Sequence, residues 1–258
     1  MLVSLMSDVA RAPNPVDRRP GAPGFWAISV VVPAYNEENR LTPTILRIHD
    51  YLRDAGEPFE IIVVDDGSRD GTLAVARGLA DRLPELRVLS YSENRGKGFA
   101  VRAGALQARG EAVLFTDADL STPIEELAGL QGAIEGGAQV AIASRYLALS
   151  HIDVRQPLSR RYLGRVFNLV IGLLGVRGFS DTQCGFKLFR LVEARRIFSR
   201  LKTRGFAFDV EALLWARRLG YRIVEVPVRW ANSSNSRVRP LRDASAMVLE
   251  VLKMKGLG

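Results

Sequence analysis

Apolar residues fall in short unbroken blocks along the first half of the chain. ISVVV runs from Ile28 to Val32 and is stopped by Pro33, FEIIVV runs from Phe59 to Val64, and LRVLSY begins at Leu86. AVLFT follows from Ala112, and QVAIAS ends at Ser144. Runs of about four to eight β-branched and aliphatic residues, stopped by Pro, Gly or Asp, predict buried strands. Between them LTPTILRIHDYLRDA sets Leu41, Ile45, Ile48 and Leu52 at helical spacing, and LAVARGLADRL and GKGFAVRAGALQARG read as further helices. Strands apolar on both faces that alternate with helices predict an α/β fold: a mostly parallel, Rossmann-like sheet covered by helices and joined by right-handed crossovers. Ligands of such sheets sit beyond the carboxyl ends of the strands.

The second half is less regular. SRRYLGRVFNLVIGLLGV reads as a basic and then apolar helix, DTQCGFKLF as a loop entering a strand, and FDVEALLWARRLG as a helix ended by Gly220. YRIVEVPVRW reads as an edge strand broken at Pro227, and LRDASAMVLEVLKM as a last helix. The Pro-, Arg- and Gly-rich start predicts a disordered tail over residues 1–24, followed by one domain over 25–258 whose halves meet near residue 144. The apolar stretch FNLVIGLLGV, 167–176, is about half of the roughly 20 residues that span a bilayer, so no integral span is expected.

Composition narrows the chemistry. Cys184 is the single cysteine of 258 residues, which favours a reducing or cytosol-facing setting. His49 and His151 stand far apart without an HExxH pattern, so zinc is not expected and any metal should be hard and oxygen-bound. The net charge of +8 is unevenly spread: residues 1–144 hold 14 Lys/Arg against 20 Asp/Glu, and residues 145–258 hold 22 against 8. An acidic half suited to cations therefore precedes a basic half that faces phosphates, an anionic membrane or solvent. That acidic first half, with no aromatic-rich basic patch, argues against a nucleic-acid binder.

Three polar clusters follow strands: PAYNEE after the first, DDGSRDGT after the second and TDADLS after the fourth. Asp117 and Asp119, one residue apart on an extended chain, share a side and suit one divalent cation plus a diphosphate; alternatively Asp119 caps a helix starting near Pro123. Asp70 and Thr72 are good helix caps, whereas Asp65, with Asp66 beside it, suits a base or ribose. Lys97 lies between two glycines ahead of a helix, either facing an anion or as an exposed loop lysine.

Taken together, VVVPAYNEE, IIVVDDGSRDGT, NRGKGFAVRAG, TDADLSTP, ASRY, DTQCGFKLF and FAFDVEALLWA resemble the family 2 glycosyltransferases of the GT-A fold. DTQCGFKLF and the late VRW bring the chain nearer to the dolichyl-phosphate (polyprenyl-phosphate) β-glucosyltransferases than to the mannose synthases. The resemblance runs from Ile28 to the C-terminus. It implies a UDP-sugar in the first half, with Pro33, Ala34, Tyr35 and Glu37 lining the nucleotide pocket and Asp65 and Asp66 toward the nucleoside. Lys97 would lie by the phosphates, and Asp117 and Asp119 would hold Mg²⁺ or Mn²⁺. Asp181 and Gln183 would shape the sugar pocket. Mannose synthases carry Gln where Ser121 stands here, a weaker metal ligand. The N-terminal anchor of the eukaryotic glucosyltransferases is missing, so the resemblance implies a peripheral enzyme on the cytoplasmic face of the membrane, alone or with a membrane-protein partner.

The mechanism this implies is inverting transfer of a hexose, best glucose, to a polyprenyl phosphate, with Arg237 at the departing diphosphate and Arg145, Arg160 and Arg161 at the acceptor phosphate. That acceptor is ionised near neutral pH, since its second pKa is about 6, and needs no base. GDP-mannose as donor, or a glycan or protein hydroxyl as acceptor, remains the other reading. A hydroxyl needs a general base, for which Asp209 and Glu211 are the candidates; otherwise they are first-turn acids of their helix. The helix from Ser159 to Val176 suits a membrane interface or a core. NSS at Asn232 matches a glycosylation acceptor but lacks any sign of a secretory route.

Overall fold

In the computed structural model, residues 27–152, 178–231 and 250–251 are described. The anticipated tail 1–24, the helix Ser159–Val176 with Arg160 and Arg161, Asn232 and Arg237 lie outside them, as does nearly all of the last helix. A first βα run comprises β1 (Ile28–Ala34), α1 (Glu38–Ala55), β2 (Phe59–Asp66), α2 (Thr72–Ala80), β3 (Leu86–Tyr91), α3 (Lys97–Gln107) and β4 (Ala112–Thr116). Next come a short 3₁₀ turn (Ile124–Glu126), α4 (Leu127–Glu135), β5 (Val140–Ser144) and β6 (His151–Ile152). The second half supplies β7 (Phe186–Arg190), α5 (Leu191–Phe198), α6 (Phe208–Arg218), β8 (Ile223–Pro227) and β9 (Arg229–Trp230).

The strands form a seven-stranded sheet in the order β3-β2-β1-β4-β7-β5-β8, with β6 and β9 as a separate parallel pair. All neighbours are parallel except β7, which runs against both β4 and β5. Unbroken apolar strands follow from helices on both faces. Val30, Val32, Ile61, Val63 and Leu114 join Leu41, Ile45 and Ile48 of α1 and Leu127 and Leu130 of α4 in one core. Val31, Ile62, Val64 and Phe115 point the other way, into α3, α5 and α6. At roughly 1.5–3 kcal/mol for each fully buried aliphatic side chain, these two layers fix the strand register.

Register aligns the strand ends. Ala34 lies opposite Asp65, Thr116 opposite Phe186 and Ser144 opposite Pro227. The residues just beyond β1, β2, β4 and β5, and those just before the antiparallel β7, therefore share one sheet edge. β8 is an outer strand of the sheet and ends at Pro227, as its sequence predicts. The helix α5 was not foreseen, although Leu191, Ala194, Ile197 and Phe198 are buried at helical spacing. Among the described residues, no helix is long and apolar enough to cross a membrane.

Candidate active site

The loops after β1 and β2 are stitched to each other. Asn36, in the left-handed region at φ 56°, donates its backbone N–H to Ser68 Oγ (2.9 Å) and accepts from Arg69 N–H at Oδ1 (2.7 Å). Glu37 N–H reaches Thr72 Oγ1 at 2.6 Å, and Glu38 Oε2 accepts from Gly71 N–H at 2.8 Å. Pro33 and Ala34 end β1, so Tyr35 is the first residue to leave the sheet. Glu37, expected in the nucleotide pocket, turns its carboxylate to Arg40 at 2.7 and 2.8 Å and shapes the loop through that pair.

Asp65 and Asp66 have opposite fates. Asp65 is 1% exposed, and its Oδ1 is buried without a hydrogen-bond partner in the protein. Desolvating a carboxylate oxygen without a donor is costly, so this atom marks a place where a ligand N–H or O–H belongs. Asp66, also expected to face the nucleoside, is engaged within the protein: its oxygens accept from Arg95 N–H (2.8 Å), Gly96 N–H (2.9 Å) and Asn94 Nδ2 (2.9 Å). Burial pushes its carboxyl above the ordinary range, with the charge of Asp65 adding to the shift and the backbone donors opposing it. Asp66 thus builds the loop that leads to Lys97. Gly96 completes that loop at φ 97°, where a Cβ would come within 2.4 Å of the Arg204 carbonyl oxygen.

Lys97 is the first residue of α3, and its Nζ lies 2.5 Å from Asp117 Oδ1. Burial disfavours its charge, but Asp117, Asp209 and Asp119 outweigh that and hold the ammonium above its ordinary pKa. Beyond β4 the chain turns sharply. Ala118 is buried with its carbonyl accepting from Thr44 Oγ1 (2.6 Å), and Leu120 takes a left-handed φ of 44°. Asp117 and Asp119 flank that anchored residue, both half-buried. Asp119 Oδ1 accepts from Ser121 N–H at 3.0 Å, closing a turn of its own. It caps no helix, since the 3₁₀ turn starts only after Pro123.

These residues fit a hard divalent cation. Among the described residues no group of three acids, histidines or cysteines is placed to hold a metal. One or two carboxylates on an open edge is the donor set that Mg²⁺ takes when phosphates of a ligand complete the shell. Lys97 already neutralises part of Asp117, so Asp119, with Oδ2 left over, is the better placed of the two.

The second half supplies walls and braces. Arg145, expected at an acceptor phosphate, commits Nε and Nη2 to Asp181 at 2.6 and 2.9 Å and its backbone N–H at 3.0 Å. Its guanidinium also lies against the rings of Tyr146 and Trp230, 5.4 and 5.5 Å from their centroids. Asp181, expected in the sugar pocket, is 1% exposed and serves as the anchor of this brace, while Glu225 holds the N–H groups of Ser180 and Asp181. Gln183, held through its N–H by Asp181 Oδ1, is half-buried in the same loop.

The two general-base candidates are committed elsewhere. Glu211 accepts from Lys202 N–H (3.1 Å), Thr203 N–H (2.7 Å) and Trp215 Nε1 (3.3 Å), so it fastens the 202–203 loop to α6. Asp209 is buried with Oδ1 2.5 Å from Lys187 Nζ; burial pushes its carboxyl up despite Lys187 and Lys97. Sequence reasoning passed over two residues. Lys187 is a charge inside the apolar strand FKLFR, and that mismatch was the available signal. Gly185 lies against Asp117, and a Cβ there would sit 2.1 Å from its Oδ2.

The edge therefore gathers an unpartnered buried carboxylate oxygen, a lysine at a helix N-terminus and two adjacent carboxylates. That set can receive a nucleoside and hold a diphosphate through cations. The family description Glycosyl transferase family 2 matches residues 29–198. The chain is 40% identical over 226 residues to the dolichyl-phosphate beta-glucosyltransferase of Drosophila melanogaster, covering 83% of this chain and 69% of that protein. The Homo sapiens protein of that name is 37% identical over 238 residues, with 84% and 73% covered. Among solved structures, glucosyl-3-phosphoglycerate synthase from Mycobacterium tuberculosis in complex with Mn²⁺, UDP-glucose and phosphoglyceric acid superposes with a TM-score of 0.67. It shares 21% identity, and 93% and 86% of the two chains are covered. The fold is GT-A, and the chain belongs to glycosyl transferase family 2 and is a glycosyltransferase.

Proposed function

We propose that this enzyme moves glucose from UDP-glucose to a polyprenyl phosphate, with inversion and with Mg²⁺ or Mn²⁺, at the cytoplasmic face of a membrane to which it binds peripherally. The observation that carries the reading is the lone buried oxygen of Asp65 on the same sheet edge as Lys97, Asp117 and Asp119. A uracil N–H is a donor that Asp65 lacks within the protein. From there the diphosphate would extend toward Lys97 and the two carboxylates. The dolichyl-phosphate beta-glucosyltransferases at 37–40% identity support the donor sugar and the lipid acceptor.

In this mechanism negative charge grows on the leaving diphosphate as the glycosidic bond breaks. Lys97, kept protonated by its acidic neighbours, offers a positive charge whose attraction grows as that oxygen becomes anionic. A divalent cation held by Asp119 and Asp117 would supply Lewis-acid stabilisation at the same oxygens. The acceptor phosphate attacks already ionised, from the face opposite the diphosphate, and gives a β-linked product from an α-linked donor. No general base is needed, which agrees with the engagement of Asp209 by Lys187 and of Glu211 by backbone donors. A hydroxyl acceptor loses support for the same reason. With Arg145 braced on Asp181, Arg160, Arg161 and Arg237 are the cations proposed for the acceptor phosphate and the departing diphosphate.

The test is transfer. Purified protein with radiolabelled UDP-glucose, Mg²⁺ or Mn²⁺ and undecaprenyl or dolichyl phosphate should form an acid-labile glycolipid. Asp119→Ala should form none. Absence of product with every common UDP- and GDP-sugar, or full activity in the variant, would refute the reading.

A further inference from the structure

Lys187 is a lysine with no exposed surface in the middle of the sheet, on the antiparallel strand β7 between β4 and β5. An ammonium in that position is expensive to desolvate and survives only with good partners. It has two. Nζ donates to Asp209 Oδ1 at 2.5 Å and to the Cys184 carbonyl at 2.6 Å, and it lies 5.2 Å from the centroid of the Phe115 ring. Both partners lead to Asp117. The residue after Cys184 is Gly185, whose α-carbon leaves no room for a methyl group beside the Asp117 carboxylate. The charge of Asp209 acts on Lys97, which is ion-paired to Asp117. Lys97 also approaches the ring of Phe208, next to Asp209, at 6.0 Å.

The geometry points to Lys187 as a positioning residue that fixes the cation-holding carboxylate Asp117 through the Cys184–Gly185 backbone, with the Lys187–Asp209 pair, whose neighbour Phe208 meets Lys97, as a second support. This rests on the proposed use of Asp117 and Asp119 for a divalent cation. The charges of Asp209 and Asp117 both act on Lys97. Without the charge of Asp209, the ammonium leans more on Asp117 and Asp119 and competes with the cation. Without Lys187, the Cys184 carbonyl loses its donor and the wall beside Asp117 loosens.

The experiment is calorimetric titration of Mn²⁺ into protein saturated with UDP, alongside melting curves, for wild type, Asp209→Asn and the paired swap Lys187→Met with Asp209→Leu. Asparagine keeps the hydrogen bond from Lys187 and removes only the charge. The swap replaces a buried ion pair by apolar groups of similar size, which folded proteins commonly tolerate. Groups that orient metal ligands typically change affinity by about 10–100-fold, so both variants should bind Mn²⁺ at least about tenfold more weakly. The paired swap should melt close to wild type, whereas Asp209→Asn leaves the buried Lys187 charge unpaired and should melt lower. Affinity within twofold of wild type in both variants would overturn the inference. So would an unfolded paired swap, which would make the pair a packing support. Failure of wild type to bind Mn²⁺ with UDP would instead sink the functional reading and this inference with it.

Discussion

Replacing Arg145 by Met separates two roles for one residue. If Arg145 binds an acceptor phosphate, the variant should keep its stability and lose acceptor affinity. The structure predicts the opposite emphasis, because the guanidinium is bidentate on an Asp181 carboxylate that is only 1% exposed. Breaking one side of a buried pair costs about 3–5 kcal/mol. At roughly 2–4 °C per kcal/mol for a chain of this size, the melting temperature should fall by roughly 6–20 °C. The sign of the pH dependence follows from Asp181. Burial raises its pKa, but the charge and hydrogen bonds of Arg145 outweigh burial and hold it below the ordinary value. Its contribution is therefore full above the unfolded Asp pKa of about 3.9 and is lost as pH falls through the lowered folded value. Urea unfolding followed by tryptophan fluorescence should show a wide gap between wild type and variant at pH 7 that persists to about pH 4 and narrows only below it. A melting temperature within about 2 °C of wild type, with only the Michaelis constant for the lipid raised, would refute the brace.

Other perturbations follow from the same geometry. Asp66→Asn turns an amide toward donors at Asn94, Arg95 and Gly96. Stability should fall by about 1–3 kcal/mol and UDP affinity with it, measured by thermal shift with and without UDP; unchanged binding would contradict the loop's role in seating Lys97. Gly185→Ala places a methyl group 2.1 Å from Asp117 Oδ2. Asp117 is partly exposed and can swing away, so the fold should hold while Mn²⁺ affinity in the presence of UDP drops about tenfold or more, read by calorimetry. Cys184 is buried, and burial pushes its thiol up to about 11. At pH 8 its thiolate fraction is then about two-hundred-fold below that of an exposed thiol, so Ellman's reagent should label it only after unfolding. Rapid labelling of the native protein would contradict that burial.

Much of this site was legible because backbone periodicity and strand ends are local properties. Apolar blocks broken by PAYNEE, DDGSRDGT and TDADLS mark the carboxyl ends of β1, β2 and β4, and register does the rest. What sequence could not resolve was which member of an acidic pair faces a ligand. Asp65 and Asp66 look equivalent in a string, yet one ends with an unpartnered oxygen and the other with three donors from a loop some 30 residues away. Arg145, Asp181 and Glu211 read as site residues in the sequence for a related reason. A charged residue near a site reads as functional until its long-range partner is known, and here those partners are Asp181 in the loop before β7, Glu225 of β8 and the backbone at 202–203. Lys187 shows the converse, since a charge in an apolar strand announces a buried partner that spacing alone does not name.

The central claim is that the two carboxylates beyond β4 hold a divalent cation against a nucleotide diphosphate. Crystals grown with UDP and Mn²⁺, measured for anomalous scattering, test it directly. One manganese peak is expected within bonding distance of an Asp119 carboxylate oxygen and of the diphosphate, with a uracil donor on Asp65 Oδ1. A nucleotide bound without manganese at Asp119, or a peak elsewhere on the protein, would contradict it.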